Sequence, residues 1–467
     1  MHCNLIYKTK GLTLLSLKHK LFFLLLLILI SGACTQSPQS AQSEEKDLSL
    51  HLDFHTVSLS GLEMNIDIAT YLKDKQNFIE EMYGDIFISV EVLGLSEGGY
   101  EKVINEIVFK QMRFLMQSLH NRHNEEAKNS VEIISKEVTA DNKLLVKYNI
   151  ELKVALNDVK DLNESKFYII NNPQIAAIRN LYAAEPECFK PNEEPTTDTH
   201  LDSLFYYYTP QTCTHRSSDW QEVNPELQVS YEEKINYPEY DLIWQDDTLN
   251  VFQIFSPASD MTEDDTGVYA YKRFLKLLRA ELGAGEAILG SLDQAISDPL
   301  NNSEIELKYS LADGRELNVY TALWESEWKY EDDKIDLFVE KFKESDFISF
   351  NGHAGYGAEV REMNSFIKEE VNKFHLYYIN SCWSYSHNEN DSDSIDYIGN
   401  IRPSYFHLMA DQDFAIIKGL WEKKSYQDIL LAIDDRLNVV TSKEEHNPHV
   451  AITGEENNKY QPDKNQP

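Results

Sequence analysis

Two short segments of the chain place a histidine and a cysteine where a catalytic pair would stand. The apolar stretch 347–350 leads within three residues to His353, and the apolar stretch 376–379 leads within three residues to Cys382. Ligands of open α/β sheets bind beyond the carboxyl ends of the strands, and neighbouring parallel strands lie about 4.8 Å apart. A thiolate is a good nucleophile, and a nearby imidazole can activate it or protonate a leaving group. We therefore expect His353 and Cys382 to share one site.

Glycines surround this histidine at positions 352, 355 and 357. Glycine lets the backbone turn sharply and approach a substrate closely. The free N–H groups of such a loop can receive a developing oxyanion. The spacing thus predicts an oxyanion-binding backbone that includes Gly352 and Gly355.

Nothing in the sequence supports a metal centre or a cofactor. The chain contains no His-Glu-x-x-His, no Cys-x-x-Cys and no EF-hand loop, and it has neither a Walker nor a dinucleotide-binding fingerprint. His375 lies in a strand pattern, where a core or edge position is expected. His387 lies in a polar loop, where we expect contact with solvent. We predict neither a metal nor a cofactor.

An alternation of strands and helices from residue 248 onward would carry the His353–Cys382 site. Strand patterns cover 249–255, 317–323, 346–350, 374–379 and 414–417, and helix patterns cover 268–282, 336–342, 366–371 and 426–437. Such alternation predicts a mostly parallel sheet with helices on both faces. We assign residues 246–441 to this α/β domain and expect a disordered polar tail at 442–467.

A different pattern precedes the α/β domain. Residues 131–138 and 144–154 alternate with period two around a polar turn, which is typical of a hairpin with one solvated face. Apolar residues at helical spacing over 100–119 predict an amphipathic helix packed on that sheet. We therefore expect a β-rich α+β domain at 48–156, followed by a connecting region at 157–245.

The first residues have the pattern of an export signal. A basic, acid-free segment precedes the ten apolar residues 21–30, which are too few to span a bilayer as a helix. Small residues then lead to Cys34. This arrangement resembles the bacterial lipobox, although Ser31 stands where that motif usually has Leu. The resemblance implies a signal peptide at 1–33, a lipid on Cys34 and a polar tether at 34–47. An ordinary cleaved signal beside a stray cysteine remains the alternative.

The expected destination and the charge limit the partners. Thr35 follows Cys34, in place of the Asp that commonly marks retention in the inner membrane. The lipobox resemblance therefore implies a lipid-anchored protein of the cell envelope, at the outer membrane rather than the inner one. The formal net charge of −35 excludes a general nucleic-acid binder, because phosphate affinity comes from clustered Lys and Arg. It also argues against an anionic lipid surface as the partner of the folded part, which leaves the lipid on Cys34 as the expected membrane contact.

Three cysteines remain after Cys34: Cys188, Cys213 and Cys382. An exported chain can oxidise thiols, and Cys188 with Cys213 would close a loop of about 25 residues. Cys382 would then be the free thiol. Three buried, unreactive thiols are the alternative.

With these residues in place, the chain resembles the clan CD cysteine peptidases, which include caspases, gingipains, clostripain and legumain. An apolar strand that leads to His with Gly, followed by one that leads to Cys, carries the resemblance over residues 245–440. It implies a caspase-like α/β domain, His353 as general acid and base, and Cys382 as nucleophile. It also implies an oxyanion hole formed by a backbone N–H near Gly355 and that of Cys382. Ala354 stands where the family has Gly directly after His.

Two classes of function follow from the sequence. The first is a surface lipoprotein with a cysteine hydrolase domain, a peptidase whose substrate is a protein or peptide. The second is a non-catalytic envelope lipoprotein in which the caspase-like fold serves as a binding module. The accessibility and the pKa of the Cys382 thiol distinguish them.

Overall fold

The computed structural model describes most of the chain from residue 53 onward. The described residues are 53–67, 97–119, 130–140, 143–156, 167–189, 194–209, 212–215, 218–223, 226–228, 236–355, 358–368, 370–388, 392–401, 404–440, 450–453, 460 and 462. The predicted signal peptide, the tether and Cys34 lie outside them. Within these ranges, no helix is both long and apolar enough to cross a membrane.

An antiparallel sheet and one long helix form the first part of the described chain. The sheet contains β1 (Asp53–Ile66), β2 (Val131–Val138) and β3 (Leu144–Leu156), with β3 in the middle and a short later strand on the far side of β1. Helix α1 (Glu97–Ser118) buries apolar residues at helical spacing in the same core, among them Ile104, Val108 and Leu115. β2 and β3 pair antiparallel, so the predicted hairpin is confirmed.

The residues that we assigned to a connecting region have elements and a core of their own. They contain β4 (Phe167–Ile170), α2 (Ile175–Ala184), α3 (Asp198–Asp202), β5 (Trp220–Val223), β6 (Glu226–Gln228), α4 (Tyr240–Ile243) and 3₁₀ turns at Pro186–Cys188 and Leu204–Tyr207. β4 pairs with β5, and β6 is the short strand beside β1. Phe167 and Val223 pack into the core under α1, whereas Phe114 of α1 packs among the aromatic residues of this region. The region is therefore more than a connection, because it exchanges core residues with the part before it.

Eight strands form the large sheet of the C-terminal half. In chain order they are β7 (Thr248–Phe255), β8 (Glu286–Leu289), β9 (Glu304–Ser310), β10 (Glu316–Leu323), β11 (Phe347–Asn351), β12 (His375–Asn380), β13 (Ile395–Asn400) and β14 (Val450–Ile452). Their order across the sheet is β14-β13-β12-β11-β7-β10-β9-β8. The five central strands are parallel, and antiparallel strands form both edges. The prediction of a mostly parallel sheet is confirmed.

Helices cover both faces of this sheet. They are α5 (Thr266–Leu282), α6 (Leu292–Ser297), α7 (Asp332–Glu344), α8 (Ala358–Ile367), α9 (Ser384–His387), α10 (Phe406–Trp421) and α11 (Tyr426–Val440), with a 3₁₀ turn at Ser326–Tyr330. Successive strand residues point to opposite faces. Val251 accordingly belongs to the core formed with α5, α10 and α11, whereas Phe252 belongs to the core formed with α7 and α8.

Two predicted elements and part of the predicted tail are wrong. Residues 414–417, which we predicted as a strand, lie inside helix α10. Because this helix is buried on most sides, its apolar residues follow one another as they do in a buried strand. The predicted helix at 366–371 overlaps only the last two residues of α8. Within the tail expected to be disordered, Val450–Ile452 pairs with β13, because its apolar residues complete the edge of the sheet.

Candidate functional site

The candidate site lies where the strand order of the large sheet reverses. After β7, the chain adds β10 on one side of it and then β11, β12 and β13 on the other. Such a switch point leaves a crevice beyond the carboxyl ends of the strands. β11 and β12 are parallel neighbours, and their last residues, Asn351 and Asn380, pair with each other. His353 and Cys382 each follow two residues later, so the backbone brings both to the same edge of the sheet.

The imidazole of His353 is held by the loop that follows β7. Its Nε2 lies 2.8 Å from the carbonyl oxygen of Ala258. Because a carbonyl oxygen only accepts hydrogen bonds, Nε2 carries the hydrogen, and Nδ1 is the nitrogen that can accept a proton. The ring stands edge-on to Phe406, with ring centroids 4.9 Å apart, and the side chain is exposed. This geometry gives His353 a fixed tautomer and access to solvent.

Asp265 fixes the position of the Ala258 carbonyl. The Asp265 carboxylate caps helix α5 by accepting the N–H of Gly267 at 2.7 Å. The same carboxylate accepts the N–H groups of Ala258 at 2.9 Å and of Ser259 at 3.0 Å. One buried acid therefore ties the start of α5 to the loop that orients His353.

Cys382 lies in a sharp turn between β12 and α9. The N–H of Ser381 bonds to the carbonyl of Ile379 at 3.0 Å, and Trp383 has a left-handed backbone with φ of 50°. A non-glycine residue in this region is strained, and such strain persists only where the surroundings hold it. The Cys382 side chain is half-buried and, among the described cysteines, lies outside the disulfide. Its Sγ lies 3.8 Å from the carbonyl oxygen of Ser404, which accepts from the S–H group.

His353 and Cys382 are held by different main-chain carbonyls. Nε2 of His353 faces Ala258, Sγ of Cys382 faces Ser404, and the structure does not join the two side chains by a hydrogen bond. The edge that they share satisfies the first requirement of a nucleophile–base pair, which is proximity of the backbone positions. A direct contact between imidazole and thiol stays a prediction.

The two predicted oxyanion glycines differ in their availability. The N–H of Gly352 donates to the carbonyl of Asn380 at 3.4 Å, so the expectation that this group is free is wrong. Gly355 has φ of +52°, and a Cβ there would approach Cγ of Glu359 to 2.5 Å. Glycine is thus required at 355 by conformation as well as by space. Gly357 lies outside the described residues.

A buried cluster of asparagines beneath the site is absent from the sequence-based prediction. Three adjacent strands, β11, β12 and β13, each end in asparagine: Asn351, Asn380 and Asn400. All three side chains are buried and hydrogen-bonded to one another in series. The repeated ending is visible in the sequence as Phe-Asn, Ile-Asn and Gly-Asn, but asparagine after a strand is common in turns.

Asp413 of α10 anchors this asparagine cluster. Its Oδ2 accepts hydrogen bonds from Asn351 Nδ2 at 2.7 Å, from Gln253 Nε2 at 2.6 Å and from Ser349 Oγ at 2.5 Å. Complete burial raises the pKa of Asp413 to about 6, although the three donors oppose the rise. The group is thus an acceptor at the centre of a buried polar network.

The two other histidines near the site have different surroundings. His375 is fully buried in β12, its Nδ1 lies 2.8 Å from the carbonyl of Ser345, and burial lowers its pKa to about 4. That placement agrees with the expected core or edge position. His387 is buried as well, against the ring of Tyr206 at a centroid distance of 4.2 Å. The expectation of a solvated His387 is wrong, because the 3₁₀ turn Leu204–Tyr207 covers it.

Cys188 and Cys213 are joined by a disulfide in the structure. Glu185 approaches both sulfur atoms, and these three residues are the one group of potential metal ligands that the described residues bring together. Both sulfur atoms are used in the S–S bond, so Glu185 alone is left as a ligand. The carboxylate instead accepts the indole N–H of Trp220 at 3.1 Å.

Comparison with protein-family models, with curated proteins and with solved structures gives no match for this chain.

Proposed function

We propose that this chain is an exported, lipid-anchored cysteine hydrolase, a peptidase that uses Cys382 as nucleophile and His353 as general acid and base. The proposal includes a two-part organisation, with a β-rich N-terminal part and a caspase-like domain from residue 246. The observation that carries it is the placement of both residues two positions beyond paired strand ends, at the switch point of the sheet.

Three further features support the hydrolase proposal. The imidazole has an orienting partner in Ala258, which leaves Nδ1 for proton transfer, as a catalytic base requires. The thiol sits on a strained strand-to-helix turn, a geometry that presents a nucleophile at the top of a sheet. Cys382 remains outside the disulfide, so its sulfur atom is still a thiol.

The proposed reaction is acyl transfer through the Cys382 thiol. Nδ1 of His353 takes the thiol proton, and the thiolate attacks the carbonyl carbon of a peptide bond. The oxyanion that forms is stabilised by backbone N–H groups near Gly355 and at Cys382. The imidazolium then protonates the leaving amine, and water hydrolyses the thioester to release the acid and restore the thiol.

Peptide cleavage tests the reaction. Wild-type protein should hydrolyse members of a fluorogenic peptide library, and Cys382→Ala should abolish turnover. His353→Ala should reduce kcat by a factor of about 10² to 10⁴, which is the usual contribution of a positioned acid–base group. Cleavage that persists in Cys382→Ala would refute the assignment of the nucleophile.

The lipid anchor is a separate part of the proposal. The ten apolar residues and the small residues before Cys34 support cleavage at that cysteine. Mass spectrometry of protein from bacterial membranes should show a diacylated or triacylated N-terminal Cys34. Cys34→Ala should release the chain from the membrane fraction. An unmodified mature terminus elsewhere would refute the anchor.

A binding module is the second candidate function. The observation that favours it is the carbonyl of Ser404, which accepts the S–H of Cys382 and so favours the neutral thiol over the thiolate. In this case the crevice would bind a peptide or protein without cleaving it. Retention of an unaltered library peptide by both wild type and Cys382→Ala would support this function.

A further inference from the structure

We propose that Asn380 is a positioning residue that fixes the turn carrying Cys382, through a buried chain of amide hydrogen bonds anchored on Asp413. The inference depends on the proposed function, because it gives this network a role toward the reactive thiol. Asn380 does not itself touch the reacting atoms.

Asn380 is the central member of the network. Its Nδ2 donates to Asn351 Oδ1 at 3.1 Å, and its Oδ1 accepts from Asn400 Nδ2 at 3.0 Å and from Ser404 Oγ at 2.6 Å. The side chain is fully buried. These contacts require the amide nitrogen on one side and the amide oxygen on the other, so they select asparagine in one orientation.

Asn400 connects Asn380 to the turn from one side. Its Nδ2 also donates to the carbonyl of Ser381 at 3.2 Å, directly before Cys382. Its backbone N–H donates to Oγ of Ser384 at 2.9 Å, two residues after Cys382. The Ser384 hydroxyl in turn donates to the carbonyl of Ile379. Asn400, the last residue of β13, therefore holds the strained turn on both sides of Cys382.

Ser404 connects Asn380 to the thiol from the other side. The Ser404 hydroxyl donates to Asn380, and the Ser404 carbonyl accepts from Sγ of Cys382. Ser404 thus links the Asn380 amide to the sulfur atom of Cys382, because it contacts both. Loss of the Asn380 oxygen would release the segment that faces the thiol.

Asp413 gives the network its direction. The donors run from Ser404 to Asn380, from Asn380 to Asn351, and from Asn351 to the Asp413 carboxylate. Each amide therefore points its N–H toward the buried acid. Hydrogen bonds that run in one direction polarise and so strengthen one another. Removing one member therefore weakens the others as well.

The test compares Asn380→Ala and the isosteric Asn380→Asp with the control Asn318→Ala. Asn318 also donates to another asparagine, Asn250 at 3.0 Å, but near the opposite end of β7 and β10. Hydrogen exchange of the peptide over 376–388 should become at least about tenfold faster in both Asn380 variants. Alanine removes the oxygen that accepts from Asn400 and Ser404, and aspartate places an acceptor where Asn380 donates to Asn351. The control should leave this peptide unchanged.

Reactivity then separates positioning from simple structural support. In Asn380→Ala, kcat for peptide cleavage should fall about 10²-fold with KM nearly unchanged, because a displacement of about 1 Å has that effect. Alkylation of Cys382 by iodoacetamide at pH 7 should slow about tenfold or more, because the displaced turn no longer holds the thiol beside the proposed base His353, and this loss should outweigh the release of Sγ from the Ser404 carbonyl. Asn380→Asp should change kcat and alkylation in the same direction although it conserves side-chain volume, because its second oxygen cannot donate to Asn351 Oδ1 and the network loses its link to Asp413.

Each outcome has a distinct meaning. Faster exchange with unchanged alkylation would overturn the positioning role and leave a structural one. A reactive wild-type thiol with equally reactive Asn380 variants would overturn this inference alone and leave the proposed function standing. A wild-type thiol with ordinary reactivity and no peptide cleavage would overturn the proposed function, and the positioning role with it.

Discussion

At the scale of single residues, the direction of each hydrogen bond decides what a side chain can do. Nε2 of His353 must donate to Ala258, so proton exchange falls to Nδ1. Sγ of Cys382 donates to Ser404, so this state stores the proton on sulfur. In the proposed catalytic cycle, the proton would first move from Sγ to the imidazole, and the thiolate would then leave the Ser404 carbonyl.

Asp413 offers a prediction at this scale. Asp413→Ala removes the acceptor that three buried donors share, so we expect a loss of about 3 kcal/mol in the free energy of unfolding. Asp413→Asn should lose less, because its amide oxygen can take the place of Oδ2. Urea unfolding at pH 7 measures both losses, and equal losses for the two variants would contradict the account.

The pH dependence of Asp413 has a definite sign. Burial raises its pKa from 3.8 to about 6, so the folded state holds a proton that the unfolded state has released within that interval. The contribution of Asp413 to stability therefore falls as pH rises from about 4 to about 6. The difference in unfolding free energy between wild type and Asp413→Asn should shrink over this interval as the pH rises.

The sequence predicts where His353 and Cys382 lie in the sheet, but not the hydrogen bonds around them. His353 and Cys382 could be placed at one edge, because a buried strand before each one is visible in the sequence. The engagement of the Gly352 N–H could not be foreseen, because it depends on which carbonyl of the neighbouring strand lies opposite. The asparagine network could not be foreseen either, because the sequence pattern predicts no strand at β13, which supplies Asn400.

At the scale of elements, the disulfide holds an aromatic core that borders the site. Cys188 packs with Phe114, Phe205 and Tyr206, and Tyr206 contacts His387 of α9. The Cys188–Cys213 bridge therefore stabilises elements that cover the helix following Cys382.

Reduction of the disulfide should destabilise this core. For a separation of 25 residues, the chain-entropy estimate is about 3 kcal/mol. In a Cys382→Ser background, a phosphine reductant should lower the urea midpoint, with Trp220 fluorescence changing first because its indole lies in this core. Cys188→Ser/Cys213→Ser serves as the matched control and should be insensitive to reductant. Recovery of both cysteines alkylated before any reduction would contradict the bridge.

The sequence predicts helices correctly where one face of the helix is exposed. It does not separate a helix from a strand where all sides of the element are buried. α1 and α5 show helical spacing because polar residues occupy their outer faces. In α10, residues 408–417 are all buried, so no periodicity separates a helix from a strand. β14 could not be predicted, because a run of three residues forms a strand only where it pairs with β13 and packs into the core of the sheet.

At the scale of the whole molecule, a pair of acids, one buried and one half-buried, joins distant parts of the chain. Glu239 precedes α4, Asp396 lies in β13, and Tyr426 begins α11 and donates to Asp396. Burial, together with the negative charge of Asp396, raises the pKa of Glu239 to about 8, and burial also raises the pKa of Asp396. Near neutral pH, the folded molecule therefore holds a proton that the unfolded chain has released.

The stability of the molecule should decrease as pH rises from 6.5 to 8. The folded state binds more protons than the unfolded state over this interval, since the ordinary pKa of an exposed glutamate is 4.5. The buried His375 makes stability rise with pH, because burial lowers its pKa, but this contribution acts below the ordinary histidine pKa of 6.5. Urea unfolding across the interval should show the decline in wild type and a flat profile in Glu239→Gln. A flat wild-type profile would contradict the shared proton.

The central claim for the whole molecule is that the fold brings His353 and Cys382 together as a reactive pair, and the pH profile of Cys382 alkylation tests it most directly. The wild-type rate constant with iodoacetamide should show an apparent pKa well below the ordinary value of about 8.5, and His353→Ala should return it to that value. Native Cys188 and Cys213 are oxidised and do not interfere. A wild-type profile near 8.5 that His353→Ala leaves unchanged would contradict the account.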